Sequence, residues 1–413
     1  MRRKFSQAEI DLLLSAHERF RSGRPGGKRA VLRFGDFSGL DFIKRDLSDG
    51  DFSGSVFDDA RLIGSVLERA ILFGCSFRGA DLRMARLVRA DIRGASMRGA
   101  NLSGADLSQA DFRVGQIAMK HPRKGLDVMT HEQRAGELDE ANLSGVNLDG
   151  SDLTGVSAFA TDFTDCSMKQ TKLNGANMKD ANLAGAILEG AEISGANLEG
   201  ATLTNAVMIG VDLQSARTYG AKLGSCVSAP SADAARKAGE LLGLAKRHQD
   251  WCRSGGKDGA PARFDGEDLR PLSSLLKGFM LTAASFKGAC MVGLDLAGAQ
   301  LQGVNLEGAD LRAAHLKGAD LRGARLSGAI LSKADLTQAL LGPLPLPGGR
   351  ETPANLTGAH LRYANAQHAD LSGAVLDQAD LTGAVLTGAK LARASLRGAE
   401  VGSAVGLELG AAA

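Results

Sequence analysis

The side chains able to do chemistry are few, and their spacing does not gather them. Seven histidines (His17, His121, His131, His248, His315, His360 and His368) and five cysteines stand in a chain of 413 residues. No histidine pair falls at i, i+4, as a helical metal site requires, and there is no CxxC. Cys75, Cys166 and Cys226 occupy one recurrent small-residue position, where a buried apolar role is expected rather than a nucleophile's. Cys252 and Cys290 lie outside that pattern and take no assigned role. Asp and Glu recur at a fixed interval, so neighbouring carboxylates reflect a repeat and not an acid–base pair. The glycine-rich stretches match no phosphate- or dinucleotide-binding motif. No catalytic residue, cofactor or metal site is assigned, and the chain is expected not to be an enzyme.

What must position any functional side chain is a five-residue repeat. Every fifth residue from Leu32 to Ile117 is large and apolar, Phe37, Leu47, Phe57, Phe77, Ile92 and Phe112 among them. The register resumes from Leu143 to Leu223 with lapses at Ala158 and Thr218. It returns from Leu276 to Leu341, and from Leu356 to Val401 with a lapse at Ala366. A small residue, usually Ala, stands two before each centre, with Asp or Asn between them, as in the A-N-L-S-G of 141–145. Five suits neither the helical period of about 3.6 nor the strand period of about 2. A unit that turns two residues inward and then bends fits, because Gly, Ser, Asn and Asp are what bends need.

These A-(D/N)-L-x-x units resemble those of the pentapeptide-repeat family. The resemblance implies an all-β solenoid, a right-handed quadrilateral β-helix with four pentapeptides per coil. Phe37, Phe57 and Phe77 fall at the spacing of one such coil and would form a single aromatic column inside it. The family also implies that a C-terminal coil left uncapped pairs with a second copy, giving a homodimer. Some of its members protect DNA gyrase from quinolones by mimicking DNA.

The breaks in the repeat set the organisation. Residues 6–22 carry Ile10, Leu13, Leu14, His17 and Phe20 on one helical face, after a Ser6/Glu9 capping box. Leu241, Leu244, Ala245, His248 and Trp251 repeat those offsets in 232–253. We therefore read an internal duplication. Residues 1–29 form an N-terminal capping helix and glycine-rich turn, and 30–226 a first solenoid interrupted by a loop at 118–140. A second capping helix and linker follow at 227–261, then a second solenoid at 262–403 interrupted by a proline-rich loop at 342–353, and a tail at 404–413. The two helices are expected to close the open N-terminal coil ends, making His17, Phe20, His248 and Trp251 structural caps. Thr130 would start a short helix in the first loop, three prolines would hold the second extended, and both chains would rejoin their own stack. A slip of two residues falls near Arg270 to Leu275.

Binding is left as the expected activity. Lys and Arg total 49 against 47 Asp and Glu, which excludes a wholly basic nucleic-acid binder and a wholly acidic DNA mimic alike. With four units per coil, Arg69 stacks on Arg89, Arg78 on Arg98 and Arg93 on Arg113, with Arg83 and Arg86 nearby. Like charges about 5 Å apart repel by roughly 1 kcal/mol in water, so these positions suit an anionic partner, unless neighbours such as Asp81 and Asp91 neutralise them. The candidate partner-binding residues are these eight arginines with Lys120, His121, Arg123, Lys124 and His131 of the first loop. The expected role is a protein-interaction scaffold; a gyrase-directed DNA mimic and a nucleic-acid binder are the competing readings. The N-terminus lacks a signal peptide's apolar run and no stretch reaches the roughly 18 apolar residues of a membrane span, so the expected location is the cytoplasm, away from membranes.

Overall fold

The computed structural model describes residues 2–120 and 129–407, without the side chains of 117–120 and 129–132. The chain divides into two compact units, Met1–Ala229 and Pro230–Ala413, each with its own core.

In the first unit, isolated parallel bridges join residues one coil apart in four ladders. They begin at Val31↔Asp51, Asp36↔Val56, Asp41↔Arg61 and Asp46↔Val66, and are called the first to fourth ladders here. The second unit repeats them from Arg263, Asp268, Asp295 and Met280. The backbone shows why the repeat reads as it does. Around the centre Phe37, the Phe37 N–H donates to the Val56 carbonyl of the next coil, the Gly39 N–H to that of Asp58, and the Leu40 N–H closes a turn onto Phe37. The Ser38 N–H is left over, and the Asp36 carboxylate takes it at 3.1 Å. Asp or Asn before the centre is thus an acceptor for an otherwise orphaned donor. Where Ser stands there instead, an Asp one coil back does the same work: Asp58 accepts the Arg78 N–H and the Ser76 hydroxyl, and Asp139 those of Phe159 and Ser157. The carboxylates of the repeat are structural for this reason.

Inside the first unit, Phe57 stacks between Phe37 and Phe77 with ring centroids 4.9 Å apart on both sides. The column has one more member than the repeat indicates. A short strand β1 (Arg3–Lys4) pairs in parallel with β2 (Gly35–Asp36) and sets Phe5 on Phe37, also at 4.9 Å. Helices α1 (Gln7–Arg21) and α2 (Ala232–Arg253) match the sequence reading, and both halves of the Ser6/Glu9 capping box form.

The interruptions are hairpins, and they correct the sequence reading. Strands β3 (Gly115–Lys120) and β4 (Met129–Arg134) pair antiparallel, so Thr130 lies in a strand and starts no helix; an isolated helix that short lacks the hydrogen bonds to offset its nucleation. Ile117, counted as a coil centre, belongs to β3. The ladder resumes at Glu137, which bridges Ser96, and Leu138 is the next buried centre, ahead of the expected Leu143. In the second unit β5 (Leu344–Leu346) pairs with β6 (Arg350–Thr352), and the coil resumes where Asn355 bridges Arg325. The two-residue slip is a 3-10 turn at Arg270–Leu272, which leaves Asp268 bridged to Cys290.

Candidate interaction surface

The eight arginines do not share one face. Arg93 and Arg113 follow the first ladder and Arg78 and Arg98 the second. Arg83 follows the third, while Arg86, Arg69 and Arg89 belong to the fourth ladder and the bend after it. Carboxylates are interleaved with them. Arg93 meets Asp91 at 2.8 Å and Asp111 at 3.7 Å; Arg113 meets Asp111 at 2.7 Å and Asp152 at 3.7 Å. Arg83 grips Asp81, Arg69 Asp49, Arg86 Glu68, and Arg98 Glu140. Arg78 and Arg134 both approach Glu137, which also accepts the Ser96 hydroxyl. Among the described residues, Arg89 alone of the eight has no carboxylate partner and bonds instead to the neutral Gln109. The signal for three of these pairings is the D-x-R spacing at 81–83, 91–93 and 111–113, which lets one guanidinium fork onto the carboxylate two residues before it. Burial pushes the Asp111 carboxyl up, but the hydrogen bonds and charge of Arg113, with help from Arg93, outweigh it and hold it below the ordinary range.

Both hairpins leave their ladder across the bend of the coil beneath. Gly94 and Gly323 sit there with φ of 64° and 66°. A Cβ on Gly94 would lie 3.2 Å from the Arg134 carbonyl oxygen, and one on Gly323 2.7 Å from Leu344 Cβ. Glycine meets both demands at once, a left-handed backbone and room for a crossing strand. The base of the first hairpin also covers Phe73, over which Arg93 lies at 5.6 Å. Lys120 ends β3 and His131 lies within β4, opposite Ala118; His121, Arg123 and Lys124 lie outside the described residues.

The two buried helix histidines, His17 of α1 and His248 of α2, are placed alike. Ala30 N–H donates to His17 Nδ1 at 3.1 Å, and Nε2–H donates to the Ser48 carbonyl at 3.0 Å. Ala262 and Thr282 treat His248 identically, at 3.0 Å each. Since a backbone N–H can only donate, Nδ1 carries no proton and both rings are neutral. Burial lowers both pKa values from 6.5. Cys252 lies 3.4 Å from His248 Nε2, but that nitrogen holds its own proton and cannot take the thiol's, and burial raises the Cys252 pKa. Cys75, Cys166 and Cys226 each donate to a carbonyl of the coil below, and burial pushes the Cys75 thiol up to about 12. Among the described residues no three His, Cys, Asp or Glu side chains are placed to hold a metal ion, and no helix is long and apolar enough to cross a membrane.

The family model described as Pentapeptide repeats matches residues 36–113, 137–227, 281–342 and 354–401. Among solved structures, the chain is similar to the pentapeptide repeat protein Rfr23 from the cyanobacterium Cyanothece 51142, at 30 % identity over 32 % of this chain and 90 % of that one, with a TM-score of 0.27. It is also similar to HetL, involved in heterocyst differentiation regulation in the cyanobacterium Nostoc sp. strain PCC 7120, at 19 % identity, 94 % and 95 % coverage and a TM-score of 0.17. A trypsin-treated variant of QnrB1, a plasmid-mediated fluoroquinolone resistance protein, gives 20 % identity, 52 % and 90 % coverage and a TM-score of 0.23. No curated protein matches.

Proposed function

We propose that this chain, which belongs to the pentapeptide-repeat family, is a non-enzymatic cytoplasmic scaffold that binds a partner protein through the hairpins β3–β4 and β5–β6. Its coils wind as a right-handed quadrilateral β-helix, and its last described coil, where Leu391 and Leu396 are half-buried and Val401 is exposed, pairs with a second copy. One observation carries the reading. Each unit carries one long insertion between its ladders, and at each the chain builds an antiparallel strand pair instead of a slack loop. Rigid supports presenting defined excursions are how scaffolds bind at low entropic cost. The DNA-mimic reading is not favoured, because the formal net charge is +2 and arginine recurs around the coil.

The test is affinity capture with hairpinless variants. Replacing residues 114–135 by one Gly, or 342–353 by Ser-Gly, restores the five-residue spacing from Phe112 to Leu138 and from Leu341 to Leu356. A protein held by the intact chain and lost from one variant, with circular dichroism unchanged, supports the scaffold. Equal capture by both variants overturns the role of the hairpins.

A further inference from the structure

We propose that the corner between the fourth and first ladders of the first unit is a docking track for an extended acidic segment of a partner protein; the proposal rests on the scaffold reading and names the partner's chemistry. Two carboxylates of the segment pair with Arg29 and Arg89, and an apolar side chain between them lies on Phe20 and Ile71.

The first argument is charge. Arg29, Asp49, Arg69 and Arg89 follow one another at one-coil intervals along this corner. Arg69 and Arg21 both grip the Asp49 carboxylate, and Arg21 also reaches Asp46 at 3.4 Å. The hydrogen bonds of Arg69 and then, against some opposing burial, the charges of Arg69, Arg21 and Arg29 hold Asp49 below its usual pKa, so its capacity is taken. Arg29 reaches only the Asp49 backbone carbonyl, at 2.6 Å, and Arg89 only Gln109, also at 2.6 Å. Arg69 also approaches Glu68 at 3.8 Å, but Glu68 is held by Arg86 at 2.6 Å; among the described residues the two arginines at the ends have no acid partner.

The second argument is shape. A groove of about 480 Å³ runs here between the end of α1 and the coil, lined by Phe20, Arg21, Arg29, Asp49, Arg69 and Ile71. Phe20 is 44 % exposed. Coils rise about 4.8 Å, so Arg29 and Arg89 stand roughly 14 Å apart, while an extended peptide advances about 3.3 Å per residue with alternate side chains on one side. Carboxylates at i and i+4 then match the two arginines, and residue i+2 faces the apolar floor.

The third argument is internal precedent. The same corner of the second unit carries Ala283, Gly303 and Gly323 where the first has Asp49, Arg69 and Arg89, and there the chain's own strand β5 lies on it. Leu344 crosses Gly323, and its Cδ2 comes within 3.7 Å of a Cβ built on Gly303. One copy of the duplicated corner thus already receives an extended segment; the other is open and basic. Single-stranded nucleic acid would need aromatic platforms in series, and Phe20 is the one aromatic in this groove.

The test is fluorescence anisotropy on the full chain with a labelled peptide of core Glu-Ser-Leu-Ser-Glu, a rearranged Glu-Glu-Leu-Ser-Ser peptide and a single-stranded oligonucleotide. The first should bind best, weaken with salt, and lose about two- to five-fold with each of Arg29→Ala and Arg89→Ala, as for an exposed ion pair. Equal binding of the two peptides, indifference to the double variant, or tighter arginine-dependent binding of the oligonucleotide overturns the track. If the track fails while hairpin-dependent capture persists, the scaffold stands alone. If capture fails too, both fall.

Discussion

Lowering the pH from 8 to 5 should first loosen the contacts that α1 and α2, the proposed caps, make with their coils through His17 and His248. His17 and His248 are neutral and buried, each with an N–H donated into Nδ1. Protonation would set a second N–H against the Ala30 or Ala262 donor, so the cap resists it, and burial lowers both folded-state pKa values below 6.5. The unfolded chain then binds more protons than the folded one as pH falls below about 6.5. Stability is complete above that value and declines beneath it. Losing one buried hydrogen bond costs about 1–3 kcal/mol, so each cap stands to lose that much. Around His17, Asp46 and Asp49 pull the pKa up and Arg21 pushes it down; around His248 only the Thr282 carbonyl opposes burial, and the Cys252 thiol beside it is neutral. Asp46, Asp49 and Asp111 are held below the ordinary carboxylate range and so lie farther from this window. Trp251, the single tryptophan, stands 5.5 Å from His248 and reports on the second cap alone. Urea unfolding followed by its fluorescence should show a midpoint flat from pH 8 to 7 and falling toward pH 5. Linkage to one histidine limits the loss between pH 7 and 5 to about 2 kcal/mol, so with a slope near 3 kcal/mol per molar the fall is about 0.3–0.6 M. His248→Phe leaves the Ala262 N–H without an acceptor, so it should lower the midpoint at every pH and abolish the slope. A flat wild-type profile, or a slope that survives in the variant, would refute the reasoning.

Other substitutions test the remaining links. Phe57→Ala removes a fully buried ring that contacts Phe37, Phe42, Phe52 and Phe77, and should cost the first unit about 3–5 kcal/mol by urea denaturation. Gly323→Val puts a branched side chain at a left-handed position and into Leu344; hydrogen exchange should rise across β5–β6 and stay low in the ladders either side. Cys75, held near 12 and fully buried, should resist alkylation at pH 8 in the folded protein and react once urea unfolds it.

The period of five made the inward positions legible without a structure, because a centre such as Phe57 has no alternative side to face. Helix α1 was legible from Ser6, Glu9 and its apolar stripe, and α2 from the same offsets. The hairpins were not. Residues 115–120 hold Ile117 in register with the repeat by coincidence, so the break was placed late, and pairing with 129–134 is a long-range fact that local composition does not carry. The arginines show the same limit. Stacking by coil number brings Arg93 to Arg113, but the Asp91 and Asp111 carboxylates between them decide the electrostatics. Strand β1 escaped notice because two residues have no period; Phe5, spaced from no other repeat centre, gave the one hint.

Photocrosslinking in cells tests the scaffold most directly. A photoreactive residue replaces exposed Gln116 of β3 or exposed Glu351 of β6, with exposed Ser194 on a plain coil as control. The account predicts a discrete protein adduct from at least one hairpin position and none from Ser194. Adducts from Ser194 alone, or none from either hairpin, would contradict it.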